Sequence, residues 1–381
     1  MADPALSPTE LAGIAAAQPG LWTEIAWHPL AWPDLLGWMA HYGDDNVRWA
    51  VQQRWAADVA RYGAPATPPV PPLRKDIVKT LWVYIAVIAT IQLVGSVFLI
   101  AMIFANVTTL STISTDVSNL TEQITEALGP WLGWMQVFAV LAGASWYLLL
   151  RQSRLVTTDI TTTNPVAGRW GLLAKLGLVM LAIQGVLFIV TSLLSLVGID
   201  LSSSQDAGVN PLLSSFIGVA YITVIGPILE EIMFRGAILR HLAPYGTNFA
   251  IVTQAVLFGI YHLNLYQGPF AFVIGLVLGY VALRFSIKWA MLLHIANNTL
   301  AVLVSLWPLA GMVFTVVILL ALAAVILLAV LGRDQYRALI AEGRPAIPHP
   351  FRTAWSNPLF IVVLVVGVLA CTGFTLMVLL A

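Results

Sequence analysis

The stretch Leu229-Glu230-Glu231-Ile232-Met233-Phe234-Arg235-Gly236-Ala237-Ile238-Leu239 sets two adjacent acids and an arginine into a chain of 381 residues that is 59% hydrophobic and 9% charged. Soluble domains carry roughly 25% charged residues, so a bilayer is the solvent for most of this sequence. Ionisable groups at membrane depth are costly, are usually paired and mark function, which makes this cluster the centre of the reading. Wound as a helix, it puts Glu231 and Arg235 four residues apart with the acid N-terminal, the favourable order for an ion pair. Glu230 lies about 100° round the same helix, so the arginine holds one acid and leaves the other for chemistry. Taken alone, the pair also fits a buried salt bridge that only fixes packing.

Outward from the cluster, apolar segments recur at about 78–105, 131–150, 172–198, 212–234, 248–263, 269–286, 289–307, 311–332 and 357–380. Each is judged against the roughly 20 residues a spanning helix needs, and together they predict an all-α, polytopic membrane protein with about nine transmembrane helices. The charges give its orientation. Arg74, Lys75, Lys79, Arg151, Arg154, Arg169, Lys175, Arg240, Arg284, Lys288, Arg333, Arg337, Arg344 and Arg352 all fall on one side, while the opposite loops 106–130, 199–211, 264–268 and 308–310 hold Asp116, Glu122, Glu126, Asp200 and Asp206 and neither Lys nor Arg. The positive-inside rule then predicts a multi-pass protein of the plasma membrane, with a cytoplasmic N-terminus and an extracytoplasmic C-terminus. Loop 106–130 reads either as a surface-lying amphipathic helix or as a polar connection, and 333–356 as a short helix followed by Pro345, Pro348 and Pro350.

Residues 1–62 read as a separate helical module without a basic-then-apolar leader, and 63–75 as a proline-rich linker. Ser7-Pro8-Thr9-Glu10 is a capping box with proline at the first helical position, and Asp44 or Asp45 suits a later cap. Trp22, Trp27, Trp32, Trp38, Trp49 and Trp55 predict a packed aromatic core, with His28 and His41 as packing residues. The phrases Ala26-Trp27-His28-Pro29 and Gly43-Asp44-Asp45-Asn46-Val47-Arg48 resemble variant leucine-rich repeat modules, which implies a protein partner for residues 1–62. The single cysteine, Cys371, excludes an intrachain disulfide framework and a cysteine metal site.

Two further segments carry polar residues that apolar helices do not need. Phe258-Gly259-Ile260-Tyr261-His262 puts Phe258 and His262 on one face, and His294-Ile295-Ala296-Asn297-Asn298 does the same for His294 and Asn298. One intramembrane histidine is commonly a packing residue. Two histidines, an amide and a free carboxylate on successive helices suit hydrolysis: a carboxylate shielded from water takes a proton from a nucleophilic water, and histidine and asparagine donors receive the oxyanion. Tyr261, Asn264 and Asn297 lie nearby without an assigned role. Because His262 falls near the outer end of its segment and His294 only a turn or two into its own, a shared site demands staggered helices around a water-filled cavity. Gly259, Gly268, Pro269, Gly275 and Gly279 would permit such close packing.

The ordered motifs Glu-Glu-x-x-x-Arg, Phe-x-x-x-His and His-x-x-x-Asn, with Gly275 to Phe285 leading to the last, resemble the CPBP family of CAAX proteases and bacteriocin-processing proteins over roughly 210–305. The resemblance implies an intramembrane endopeptidase in which Glu230 and His262 activate water and His294 and Asn298 bind the oxyanion. Glu231, Arg235 and Phe258 would support them. It also implies a peptide or membrane-protein substrate, with peptide maturation or bacteriocin self-immunity as the setting, and no nucleic acid. Metal-free glutamate catalysis is the expectation; zinc on Glu230, His262 and His294 is the alternative, although the compact His-Glu-x-x-His helix is absent. Other classes remain open to the sequence: a non-proteolytic adaptor acting through residues 1–62, or a carrier, against which the lack of internal repeats argues.

Overall fold

The computed structural model describes residues 8–31, 33–62, 73–105, 117–150, 170–331 and 350–380. The chain divides into two compact units, Met1–Pro72 and Leu73–Ala381.

In the first unit, helices α1 (Pro8–Ala17), α2 (Trp22–Ala26), α3 (Pro33–Tyr42) and α4 (Asp45–Tyr62) enclose a small core of Leu11, Leu35, Leu36, Met39 and Val51. Asp44 caps α4, its Oδ1 accepting from the Val47 N–H at 2.9 Å. The expected aromatic core is mostly aliphatic, with Trp22 inside it and Trp55 packed against it. Trp22 is buried, its Nε1 donating to the Ala15 carbonyl at 2.6 Å, but Trp27, Trp38 and Trp49 are exposed. Trp38 instead lies against Trp22 with ring centroids 4.9 Å apart. A module this small lacks the interior to cover several indoles, which are seldom fully buried. His28 is the expected packing residue, buried and accepting the Leu30 N–H at Nδ1, whereas Trp32 and the His41 side chain lie outside the described residues.

The second unit is built of α5 (Leu73–Ala105), α6 (Val117–Leu150), α7 (Trp170–Ser195), α8 (Ser202–Leu213), α9 (Phe216–Tyr245), α10 (Thr247–Tyr261), α11 (Gln267–Arg284), α12 (Ile287–Leu306), α13 (Pro308–Leu331), α14 (Pro350–Trp355) and α15 (Pro358–Leu380). No strand occurs among the described residues. Among the described residues, seven helices are long and apolar enough to cross a membrane, in α5, α6, α7, α9, α11, α12 and α15. Two shorter apolar stretches, α10 and Thr315–Leu327 within α13, occupy the remaining predicted spans.

The boundaries differ from the apolar pattern where polar groups find partners. α6 starts at Val117, so the later part of the expected loop 106–130 continues the membrane helix. α9 runs past residue 234 to Tyr245, where the Arg240 guanidinium donates to the Ala282 carbonyl and the Tyr245 hydroxyl to Asp76 Oδ2 at 2.8 Å. Just outside α8, Asp200 accepts from Ser202, a hydrogen bond that holds its carboxyl below the usual range. The linker residues 63–72, loop residues 106–116, the basic loop 151–169 and the expected short helix within 332–349 lie outside the described residues.

α9 packs against α6, α10, α11 and α12, and α10 lies along α11. The glycines singled out in the sequence permit that last contact. A Cβ on Gly259 would stand 2.8 Å from the Gly268 carbonyl oxygen, and one on Gly275 would stand 3.1 Å from the Ala255 Cβ. Gly259→Leu must therefore push two helices apart. It is expected to cost about 1–3 kcal/mol, read as a lower Tm of the detergent-solubilised protein by tryptophan fluorescence.

Candidate active site

α9 is not a uniform α-helix. Tyr221–Ile225 and Ile232–Leu239 are π-wound, and between them Gly226–Glu231 is α-helical and carries both acids. The first π-turn leaves one carbonyl without a helical partner. The Gly226 N–H reaches back five residues to the Tyr221 carbonyl, so the next residue would serve Ile222. That next residue is Pro227, which has no N–H. The orphaned Ile222 carbonyl instead accepts from Asn298 Nδ2 on α12 at 3.0 Å.

Asn298 is oriented from its other end as well. Its Oδ1 accepts from Asn297 Nδ2 at 3.2 Å, and Asn297 Oδ1 accepts from Gln184 Nε2 of α7 at 3.1 Å. This amide relay fixes which way the Asn298 side chain points, with the second Nδ2 hydrogen uncommitted. The motif spacing assigns Asn297 no role and does not reach Gln184 on α7. The available signal for Gln184 was an amide inside an otherwise apolar span.

Glu231 and Arg235 are both fully buried and paired, Nη1 to Oε1, at 2.8 Å, as their spacing predicts. The same Oε1 accepts from His294 Nδ1, also at 2.8 Å, a contact the sequence does not reveal. Because a carboxylate held by arginine only accepts, the His294 hydrogen sits on Nδ1 and the ring turns Nε2 towards Glu230, whose Oε2 lies 3.7 Å away. The arginine's Cζ stands 4.3 Å from the centroid of the Phe258 ring, a cation–π contact in a water-poor site. Phe258 also meets the rings of His262 and His294 edge to face, with centroids 4.8 and 5.9 Å apart. It is thus the hub between the ion pair and both histidines, more than the packing residue its position suggests.

His262 stands just past the end of α10. There the helix tightens: the His262 N–H bonds to Gly259 at 3.3 Å rather than to Phe258 four residues back. The Phe258 carbonyl left over accepts His262 Nδ1 at 2.9 Å. A carbonyl only accepts, so His262 too carries its hydrogen on Nδ1 and keeps Nε2 free. The spacing Phe-x-x-x-His is the spacing of a helix-end carbonyl and the side chain that takes it.

The turn that follows is non-helical backbone whose polar groups are taken up by the protein. Leu263 has φ 51°, in the left-handed region. Asn264 Oδ1 accepts the N–H groups of Tyr266 and Gln267, its Nδ2 donates to the Ser204 carbonyl, and Thr375 Oγ1 accepts the Leu265 N–H. The stagger expected from the sequence is therefore met by a short α10 that stops at the site.

Glu230, His262, His294 and Asn298 line one cavity of about 620 Å³, together with Tyr221 and Tyr261. Among the described residues no three His, Cys, Asp or Glu side chains stand grouped for a metal ion.

Residues 212–300 match the family model described as type II CAAX prenyl endopeptidase Rce1-like, and residues 1–55 match that of the Leucine Rich Repeat Variant domain. No curated protein and no solved structure is matched. The first match contains all four cavity residues and their ion pair, and accords with the resemblance to CPBP intramembrane proteases drawn from the motifs.

Removing one partner of a buried ion pair strands the other. Arg235→Leu is expected to cost about 3–5 kcal/mol, while Glu231→Leu/Arg235→Leu costs less than Arg235→Leu alone, compared as thermal stability in detergent.

Proposed function

We propose that this protein is an intramembrane endopeptidase in which Glu230 and His262 activate a water and His294 and Asn298 hold the oxyanion. The observation that carries this reading is the convergence on one cavity of a carboxylate and two imidazoles whose Nδ1 atoms are already committed.

The water oxygen attacks the scissile carbonyl carbon as its proton passes to Glu230, with the neutral Nε2 of His262 as the second acceptor. The carbonyl oxygen, now negative, is met by His294 Nε2–H and the uncommitted Nδ2–H of Asn298. With Nδ1–H on Glu231, an Nε2–H makes the His294 ring cationic. The buried set Glu230, Glu231, Arg235 and His294 is then neutral overall, the balance a low-dielectric site favours. Collapse of the tetrahedral intermediate breaks the C–N bond and returns a proton to the leaving amine.

The apolar helices and the one-sided distribution of Lys and Arg support a membrane protein with its N-terminus in the cytoplasm and its C-terminus outside. The substrate is a peptide or a membrane-protein segment, the first unit engages a protein partner, and the chemistry needs no metal.

The test compares new peptide termini in membranes expressing the wild type, Glu230→Gln or His294→Ala at equal protein levels. Glu230→Gln is expected to lose about 100-fold or more of the cleavage. EDTA is expected to leave wild-type cleavage unchanged; loss that zinc restores would overturn the metal-free mechanism. Identical termini in all three membranes, with the cellular phenotype intact, would instead favour an adaptor.

A further inference from the structure

Part of the wall of the cavity that Glu230 lines comes from α5 and α6, outside the stretch that matches the endopeptidase model. Ile88, Ile91, Gln92, Gly95, Ser96 and Leu99 line it at intervals of three and four, one continuous stripe of α5. Gln136 of α6 completes the wall.

Most polar side chains of these two helices near the site are used by the protein. Tyr84 donates to the Leu257 carbonyl, Thr90 accepts from Trp146, and Ser145 donates to the Ala142 carbonyl. Gln92, Ser96 and Gln136 have no hydrogen-bond partner among the described residues, and all three face the lumen. Amides are costly at membrane depth unless something pairs with them.

Their positions along the wall follow from the packing. Thr90 meets Trp146, the site of a Gly143 Cβ faces Ile91, and Phe98 stacks on Phe138, so α5 and α6 run antiparallel with Gln136 opposite residue 99 or so. Seven residues of helix separate that level from Gln92, about 10 Å at 1.5 Å per residue. An extended peptide covers this with roughly three residues. Tyr84 meets Phe234 with ring centroids 6.4 Å apart, and Glu230 lies four residues back from Phe234 while Gln92 lies eight beyond Tyr84. Gln92 therefore stands about one helical turn beyond the level of the proposed catalytic acid.

Resting on the proteolytic reading, we propose that Gln92, Ser96 and Gln136 are a substrate-docking wall that hydrogen-bonds the backbone of about three residues of an extended peptide, holding its scissile bond towards Glu230. Each glutamine amide offers a donor and an acceptor, the complement of a peptide unit lying flat against it. Apolar peptide side chains pack between them on Ile88, Ile91 and Leu99. The substrate class is an extended apolar segment, and a helical transmembrane substrate must unwind before it is cut.

The test uses the full chain in lipid nanodiscs and a fluorescein-labelled decapeptide of alternating leucine and alanine, with binding read by anisotropy. Gln92→Leu and Gln136→Leu are each expected to weaken binding roughly 3- to 10-fold, one lost hydrogen bond apiece. The same peptide N-methylated at alternate residues is expected to bind the wild type more weakly and the double variant no worse than its parent does. That readout leaves the protein's fold untouched. Equal binding of the unmodified peptide to wild type and double variant, or binding to neither, overturns the wall. Cleavage by the wild type and its loss in Glu230→Gln are scored separately: a peptide held through the glutamines but never cut sinks the proteolytic reading and spares the wall.

Discussion

A carboxylate without exposed surface in a membrane has to be answered on the spot, and Glu231 is answered twice at a single oxygen. Arg235 supplies the counter-charge from the same helix, and His294 brings α12 to it. The guanidinium lies over Phe258, whose ring touches both histidines and whose carbonyl holds one of them. One buried acid therefore sets the relative placement of α9, α10 and α12. Glu231 Oε2 and Arg235 Nε and Nη2 have no protein partner among the described residues, so the pair is not optimised for stability alone. Such a cost is retained where it fixes geometry needed for chemistry.

The winding of α9 does the complementary task for Glu230. At uniform α pitch the missing N–H of Pro227 would leave the Thr223 carbonyl open; the π-turn moves the open carbonyl to Ile222. Pro227 opens one rung, and Asn298 fills it from across the interface. The residue expected to receive the oxyanion is thus anchored by the helix that carries the acid. Gln184 and Asn297 extend that anchorage to α7, so four polar groups on three helices agree on one orientation.

Sequence alone revealed what is local or compositional. The Glu231–Arg235 pair was readable because four residues along one helix fix the contact whatever surrounds it. The membrane class followed from composition, and the crossing of α10 and α11 from their glycines. The bond from His294 to Glu231 was not readable, because it depends on the rotation and depth of separate helices, which apolar periodicity leaves free. The π-turns were hidden for a related reason: an apolar run looks the same at either pitch, and only Pro227 marked the break. In the first unit the tryptophans misled, since composition does not say which side of a small module an indole takes.

The shortness of α10 shows how the chemical requirement propagates into the fold. If α10 continued, the residue-262 amide would take the Phe258 carbonyl, and the His262 ring would lose the acceptor that fixes its tautomer. The helix therefore ends at His262, far short of the roughly 20 residues of a full crossing. Ending there leaves backbone amides outside the helical ladder: Asn264 Oδ1 takes those of Tyr266 and Gln267, Thr375 Oγ1 takes that of Leu265, and the Ser204 carbonyl holds the Asn264 side chain in place. Ser204 and Thr375 belong to α8 and α15, elements that carry none of Glu230, His262, His294 and Asn298. Their place around the core follows from the need to bury a helix end beside a histidine, which makes the outer helices part of the site's support as well as its shield from lipid.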